Sequence, residues 1–262
     1  MSIGAQSSSI RRTLLTAFSG VYFRRTFNTT AGPFRAYVSP SSRLRFLDPR
    51  RLQIEDAHQR FIDRWVKPDS VVWDIGANLG LFAFAAALRA EAGQVYGFEP
   101  DPELLHYLHK SRFRLGRSVG NTSFFGVAAA EQNGSAKFQI SKYSRAMNKL
   151  ENLGAGHASQ IIPHALLTVL TMRVDTLSTM LPPPTILKID VEGAELQVLA
   201  GARETISRHR PAISIECPHE ISVDMQAFFA HHDYALFDGE KNGLPPVDVP
   251  VWDTVAVPRS ML

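Results

Sequence analysis

The stretch "VVWDIGANLGLFAF", residues 71–84, decides the fold of this 262-residue chain. A short apolar run carries Asp74 near its end, a loop holds Gly76, Ala77, Asn78 and Gly80, and an unbroken apolar segment follows. An apolar run of strand length without polar alternation predicts a strand buried on both faces. The glycines allow a tight passage into a helix over 79–90. Further strands over 94–98, 122–130, 185–190 and 212–216 alternate with helices from Pro102 to Arg112, over 192–209 and over 222–231. Two strand-like runs, "YALF" and "VWDTVAV", close the chain. This order predicts an α/β fold: a Rossmann-like, doubly wound, mostly parallel sheet with helices on both faces.

Upstream, "FRAYV" and "RLRFL", separated by "SPSS", predict a short hairpin. Asp48-Pro49 predicts an N-cap with proline in the first turn. The helix after it would carry Ile54, Ala57, Phe61, Ile62 and Trp65 along one side. The Asn133-Gly134 turn predicts that strand 122–130 folds back onto "SAKFQI". Residues 141–165 are polar, contain glycine and show no period. A lid over the cleft and a tolerated surface insertion both suit them, and the sequence leaves both open.

With 45% hydrophobic and 20% charged residues, the chain can bury one sizeable core, which excludes disorder over its whole length. The expected organisation is a basic arm with a short hairpin over 1–47 and one domain over 48–262. No acidic residue precedes Asp48, whereas Arg11, Arg12, Arg24, Arg25, Arg35, Arg43 and Arg45 do, so the net charge of +3 combines a basic arm with a mildly acidic body. That argues against nucleic-acid binding by the body. The arm suits contact with an anionic membrane surface or with a second subunit of a homo-oligomer. Cys217 is the only cysteine, which excludes an intrachain disulfide and a thiolate metal cluster and fits a reducing, cytoplasmic compartment. An Arg- and Ser-rich, acid-free start also suits organelle targeting through residues 1–30, and that alternative stays open. No run reaches the ~20 apolar residues of a transmembrane helix.

The glycine loop narrows the ligand. A dinucleotide fingerprint places a second glycine where Ala77 stands, and the triphosphate-binding loop needs a lysine that is absent here. The loop has therefore lost its phosphate-cradling features, yet a carboxylate, Asp74, stands at the strand end. An anion would be repelled there and a cation accepted. The next strand, "QVYGFEPD", ends in Glu99, a residue type that accepts both hydroxyls of a ribose at this position. Together the two acids favour a nucleoside with a positively charged attachment and no phosphates. S-adenosylmethionine meets that description. Either acid also suits the start of the following helix, where negative charge is favourable.

At this point the sequence resembles the class I S-adenosylmethionine-dependent methyltransferases, and within them the FkbM family. The resemblance rests on "VVWDIGANLGLFAF", "VYGFEPDPELLHYL", "GVAAAEQNGSAKF", "MRVDTLSTML" and "ILKIDVEGAELQVLAGARETISRHRPAISIECPH", with "KIDVEGAE" the most specific. It covers roughly Glu55 to Val257 and implies a methyltransferase sheet of about seven strands, the last antiparallel. It implies methyl transfer to oxygen, on the hydroxyl of a sugar, glycan or natural product or on a small-molecule carboxyl. Asp74, Gly76, Asn78 and Gly80, with Ala77 between them, would surround the methionine portion. Glu99 would hold the ribose, Pro100 and Asp101 would border the adenine, and Val127, Ala128 and Ala129 would line its side. "VAAAEQNG" departs from the family's Asp- or Ser-bearing form, which puts a polar adenine contact in doubt.

"TILKIDVEGAEL" places Lys188 and Asp190 on one side of a strand, and Glu192 begins the next helix. The neighbouring strand "AISIE" ends in Glu216, followed closely by His219. Crowded carboxylates raise one another's pKa and an adjacent lysine lowers it, so this edge can tune a general base, with Asp190 first and Glu216 and His219 next. Helix capping is the bland role for Asp190, and a structural counter-ion that for Lys188. Asp190 and Glu216 also suit a divalent metal, although two ligands do not define a site. An NAD-dependent oxidoreductase and a non-catalytic nucleoside-binding protein of the same fold are the alternatives.

Overall fold

The structure, a computed structural model, describes residues 20–40, 44–48, 52–141, 148–150 and 163–262. The chain opens with β1 (Phe23–Thr29), β2 (Gly32–Val38) and α1 (Asp56–Trp65). Strand and helix then alternate through β3 (Val71–Ile75), α2 (Leu81–Arg89), β4 (Gln94–Phe98), α3 (Pro102–Leu115) and β5 (Thr122–Phe125). Four strands follow: β6 (Ala128–Ala129), β7 (Gly134–Ser141), β8 (Lys149–Leu150) and β9 (Pro163–Met172). After them come α4 (Val174–Met180), β10 (Ile186–Ile189), α5 (Glu195–Ala200), α6 (Arg203–His209) and β11 (Ala212–Glu216). The last elements are α7 (Ser222–His231), β12 (Tyr234–Asp238), β13 (Pro246–Val247) and β14 (Asp253–Pro258).

The main sheet has eight strands in the order β13-β12-β14-β11-β10-β3-β4-β5. It is parallel from β11 to β5, while β14 runs antiparallel to both β11 and β12. The two-residue β13 is an edge strand beyond the expected seven. β3 lies centrally, with β4 on one side and β10 on the other, so the chain leaves it in opposite directions and a crevice opens at the carboxyl ends there.

Strand period divides the core in two. Val72 and Ile186 face a cluster that includes Phe61 of α1, Phe84 of α2 and Leu108 of α3. Their neighbours Trp73 and Leu187 face a second cluster with Leu177 of α4, Val198 of α5, Ile206 of α6 and Phe229 of α7. Charged side chains that follow Val72 and Ile186 at even spacing therefore lie on the α1–α3 side.

Four expectations need correction. The hairpin joins β1 to β2, not "FRAYV" to "RLRFL"; Leu44–Leu47 form a 3-10 turn instead. Burial of Phe27, Phe34, Ala36 and Val38 fixes that pairing, and Phe34 meets Phe84 at 5.9 Å between ring centroids. The first helix starts at Asp56, with Glu55 rather than Asp48 at its N-cap. The helix expected over 192–209 is split at Gly201, whose carbonyl accepts the Asp175 amide at 2.9 Å. Finally, β7 does not pair with the strand before it: β9 lies between, parallel to β6 and antiparallel to β7. Asn133 serves that arrangement, its Oδ1 accepting the Arg173 amide at 2.8 Å. Of the segment suggested as a lid, residues 142–147 and 151–162 lie outside the described residues, as do residues 1–19 of the arm. Among the described residues, no helix is long and apolar enough to cross a membrane.

Candidate active site

The crevice between β3 and β10 is a cleft lined on one wall by Gly76, Asn78, Glu99 and Pro100, and on another by Asp190, Glu192 and Glu216. Val127, Ala128, Ala129, Phe138, Asn148 and Leu150 close its far end. The glycine loop is folded tightly against the sheet: the amides of Gly76 and Ala77 both donate to the Phe98 carbonyl at 3.0 Å. Gly76 has φ +78°, and a Cβ there would stand 1.8 Å from the Asp190 carbonyl oxygen. Only glycine lets the ends of β3 and β10 approach this closely.

Glu99 is the best-defined polar group in the cleft. Its Oε2 accepts the Asn78 amide and its Oε1 the Asp101 amide, each at 2.8 Å. Asn78 sits at φ +51°, which aims its amide at that carboxylate. Each Glu99 oxygen retains a second lone pair. Burial pushes Glu99 up to about 8, against the lowering effect of the two amides.

Beneath the loop, Lys188 is 4% exposed. Its Nζ lies 3.0 Å from Asp74 Oδ1 and 3.3 Å from Asp190 Oδ2, and donates to the Gly76 carbonyl at 2.9 Å. Burial alone would lower Lys188, but Asp190 and Asp74 outweigh it and keep the ammonium charged above the ordinary lysine range. One cation thus ties the loop to the acid at the end of β10. Glu216 lies opposite Asp253 in the sheet register. Burial, then Asp190 and Glu192, push its carboxyl well above the ordinary carboxylate range.

The expected cofactor residues are not all together. Gly76, Asn78, Glu99, Pro100, Val127 and Ala128 line the cleft. Asp74 does not: it is fully buried on the α1–α3 side, where strand parity sets it against Lys188. Ala77, 4% exposed, belongs to the core. Gly80 is a packing residue at φ +76°, where a Cβ would meet Leu108 Cδ2 at 2.6 Å. Asp101 turns away to cap α3, its Oδ1 accepting the Glu103 amide at 2.9 Å, and its Oδ2 accepts Asn148 Nδ2 at 2.8 Å.

Of the expected catalytic residues, Asp190, Glu192 and Glu216 line the cleft. Lys188 lies beneath it. His219 is exposed in a 3-10 turn beyond β11 and does not line the cleft. Sequence reasoning missed Phe98, Phe138, Asn148, Leu150, Val191 and Ala194. For Phe138, the alternation of "SAKFQI" was a usable signal once β7 had its true partner.

The donor set can be tested against a ligand. Glu99, Asp190, Glu192 and Glu216 line the cleft, and among the described residues no lysine or arginine side chain does. A pyrophosphate does not fit such a wall. A nucleoside with a cationic tail does. Among the described residues, no group of three or more acidic, His or Cys side chains could hold a metal ion.

Comparison with known proteins places the description "Methyltransferase FkbM domain" on residues 74–241. The hexuronic acid methyltransferase AglP of Haloferax volcanii is 26% identical over 201 residues, 76% of this chain and 72% of that protein. The 2-O-methyltransferase NoeI of Sinorhizobium fredii is 28% identical over 163 residues, 58% of this chain and 65% of that protein. Among solved structures, methyltransferase FkbM of Methylobacillus flagellatus aligns with a TM-score of 0.48 and 20% identity, over 72% of this chain and 43% of that one.

Proposed function

The chain belongs to the FkbM methyltransferase family, and from that premise we propose that its cleft binds S-adenosylmethionine and methylates a hydroxyl of a sugar or glycan. The carrying observation is Glu99, a buried carboxylate in a cleft without a phosphate cradle, with one lone pair left on each oxygen for a ribose hydroxyl. The names of the relatives AglP and NoeI support oxygen as the acceptor atom and a sugar as its bearer.

S-adenosylmethionine supplies, when bound, a methyl group activated by a sulfonium. The residues of this chain do the rest. Glu99 holds the ribose, Gly76 and Asn78 border the amino-acid tail, and Pro100 with Val127, Ala128 and Ala129 flank the base. At the other end, a hydroxyl must lose its proton as it is alkylated. Burial, with Asp190 and Glu192 close by, raises the Glu216 carboxyl, which favours it as a hydrogen-bond donor to the acceptor over a proton abstractor. Asp190 is therefore the base, held in place by the Lys188 ammonium. Alignment is the larger contribution: positioning supplies ~7–11 kcal/mol, a general base about 10²–10⁴-fold. Because Lys188 also holds the Gly76 carbonyl, one side chain sets the distance between the loop and the base.

The test has two parts. Calorimetry with S-adenosylhomocysteine and with NAD is expected to show binding of the first alone, and a preference for NAD would overturn the cofactor. A panel of neutral, amino and uronic sugars with labelled S-adenosylmethionine is expected to yield a methyl ether. Labelling only of carboxyl groups would overturn the hydroxyl acceptor.

A further inference from the structure

We propose that Asn148 selects adenine over other bases in the cofactor's nucleoside, an assignment that rests on the S-adenosylmethionine reading above. The base end of the cleft is almost wholly apolar. Pro100, Val127, Phe138 and Leu150 provide flat or aliphatic walls, which hold any ring but read none of its heteroatoms. The segment after β5, "GVAAAEQNG", places no side-chain donor or acceptor in that wall. Asn148 comes from the opposite side, on the threshold of β8, lines the same cleft and is 8% exposed.

Its orientation is pinned. Oδ1 accepts the Ser141 amide at 2.8 Å, and Nδ2 donates to Asp101 Oδ2 at 2.8 Å. Both partners have fixed polarity here, a backbone N–H and a carboxylate, so the amide cannot turn over without losing both bonds. One lone pair on Oδ1 and one hydrogen on Nδ2 have no partner among the described residues. That leaves one acceptor and one donor position on the same amide. Adenine offers the complement, an exocyclic amine beside a ring nitrogen that accepts, and asparagine pairs with such an edge through two hydrogen bonds. Hypoxanthine offers the reverse, an oxygen beside an N–H. A free asparagine would flip to suit it. Asn148 is held in one sense by Ser141 and Asp101. Asp101 in turn donates its amide to Glu99, so the ribose acid and the base reader share one hydrogen-bonded chain.

The experiment compares binding of S-adenosylhomocysteine and S-inosylhomocysteine to the full chain, by calorimetry without acceptor. The wild type is expected to prefer the adenosyl compound by roughly 10–100-fold, the discrimination of one bidentate pair. Asn148→Ala should bring the ratio close to one, and a ratio is unaffected by a general loss of active protein. A wild-type ratio near one overturns the assignment, as does an unchanged ratio in Asn148→Ala. Adenosyl binding without discrimination overturns the assignment alone, whereas failure of both compounds to bind overturns the cofactor reading and this assignment with it.

Discussion

Cofactor binding should expel a proton from Glu99. Burial pushes this carboxyl up to about 8 in the free protein, so at pH 7 it is protonated in about nine molecules of ten. Its proposed partners, two ribose hydroxyls, donate hydrogen bonds, and the two backbone amides already donate to it. Four donors favour the carboxylate, so the proton must leave. The expected release is about 0.9 proton per cofactor at pH 7, about 0.5 at pH 8 and about 0.1 at pH 9. Affinity for S-adenosylhomocysteine should accordingly tighten about tenfold per unit as pH rises towards 8, then level off. The sign for stability is opposite. A carboxyl raised above its unfolded value stabilises the empty protein fully below about pH 4.5 and loses that contribution as pH rises through about 8. Calorimetry in buffers of different ionisation enthalpy measures the release directly. Glu99→Gln keeps the shape but cannot ionise, and it should weaken binding by roughly 10–100-fold through the loss of charge-assisted bonds. The readout is the difference between wild type and variant, which cancels any contribution from Glu216. Equal proton release in the two proteins, or equal affinity, would refute the ribose assignment.

Lys188→Met leaves Asp74 buried against an apolar side chain, and should cost about 3–5 kcal/mol in urea unfolding at pH 7. Gly76→Ala forces a Cβ to within 1.8 Å of the Asp190 carbonyl, so S-adenosylhomocysteine binding should be lost while circular dichroism at 25 °C shows a folded chain. Asp190→Asn should lower kcat by about 10²–10⁴-fold with cofactor affinity within a few-fold of wild type; unchanged turnover would remove it as the base. Glu216→Gln mimics the protonated form that burial favours, so activity at pH 7 should be retained, and the fall expected of the wild type above about pH 9 should disappear from the pH profile.

The parallel half of the fold was legible because its strands are buried on both faces. "VVWDI", "QVYGF", "ILKI" and "AISIE" are short apolar runs with turn residues at each end, and the structure makes strands of all four. β9 was hidden for the converse reason. Its inward residue Val169 is buried, but the outward Leu166 and Leu170 are 48% and 62% exposed and equally apolar, so no alternation marks it. With β9 unseen, Asn133-Gly134 looked like a hairpin turn, and Asn148 lay in what read as loop. The hairpin over β1 and β2 failed on a similar competition. "SPSS" is a strong turn signal, but the pairing that buries both Phe27 and Phe34 wins.

Asp74 shows where a pattern gives the place of a residue but not its partner within the protein. Its position at the end of β3 was legible, and so was the need for positive charge beside it. Nothing in the local sequence says whether that charge belongs to a ligand or to the protein. Strand parity decides it: Asp74 and Lys188 are register partners on adjacent parallel strands, and both point to the α1–α3 side. The cation that Asp74 seeks is therefore supplied from within, two residues before Asp190. Under the proposed function, this makes the acid at the end of β3 part of the support of Asp190, and leaves recognition of the nucleoside to Glu99. A variant that moves the lysine should consequently disturb kcat through Asp190 more than it disturbs nucleoside affinity, whereas a variant of Glu99 should do the reverse.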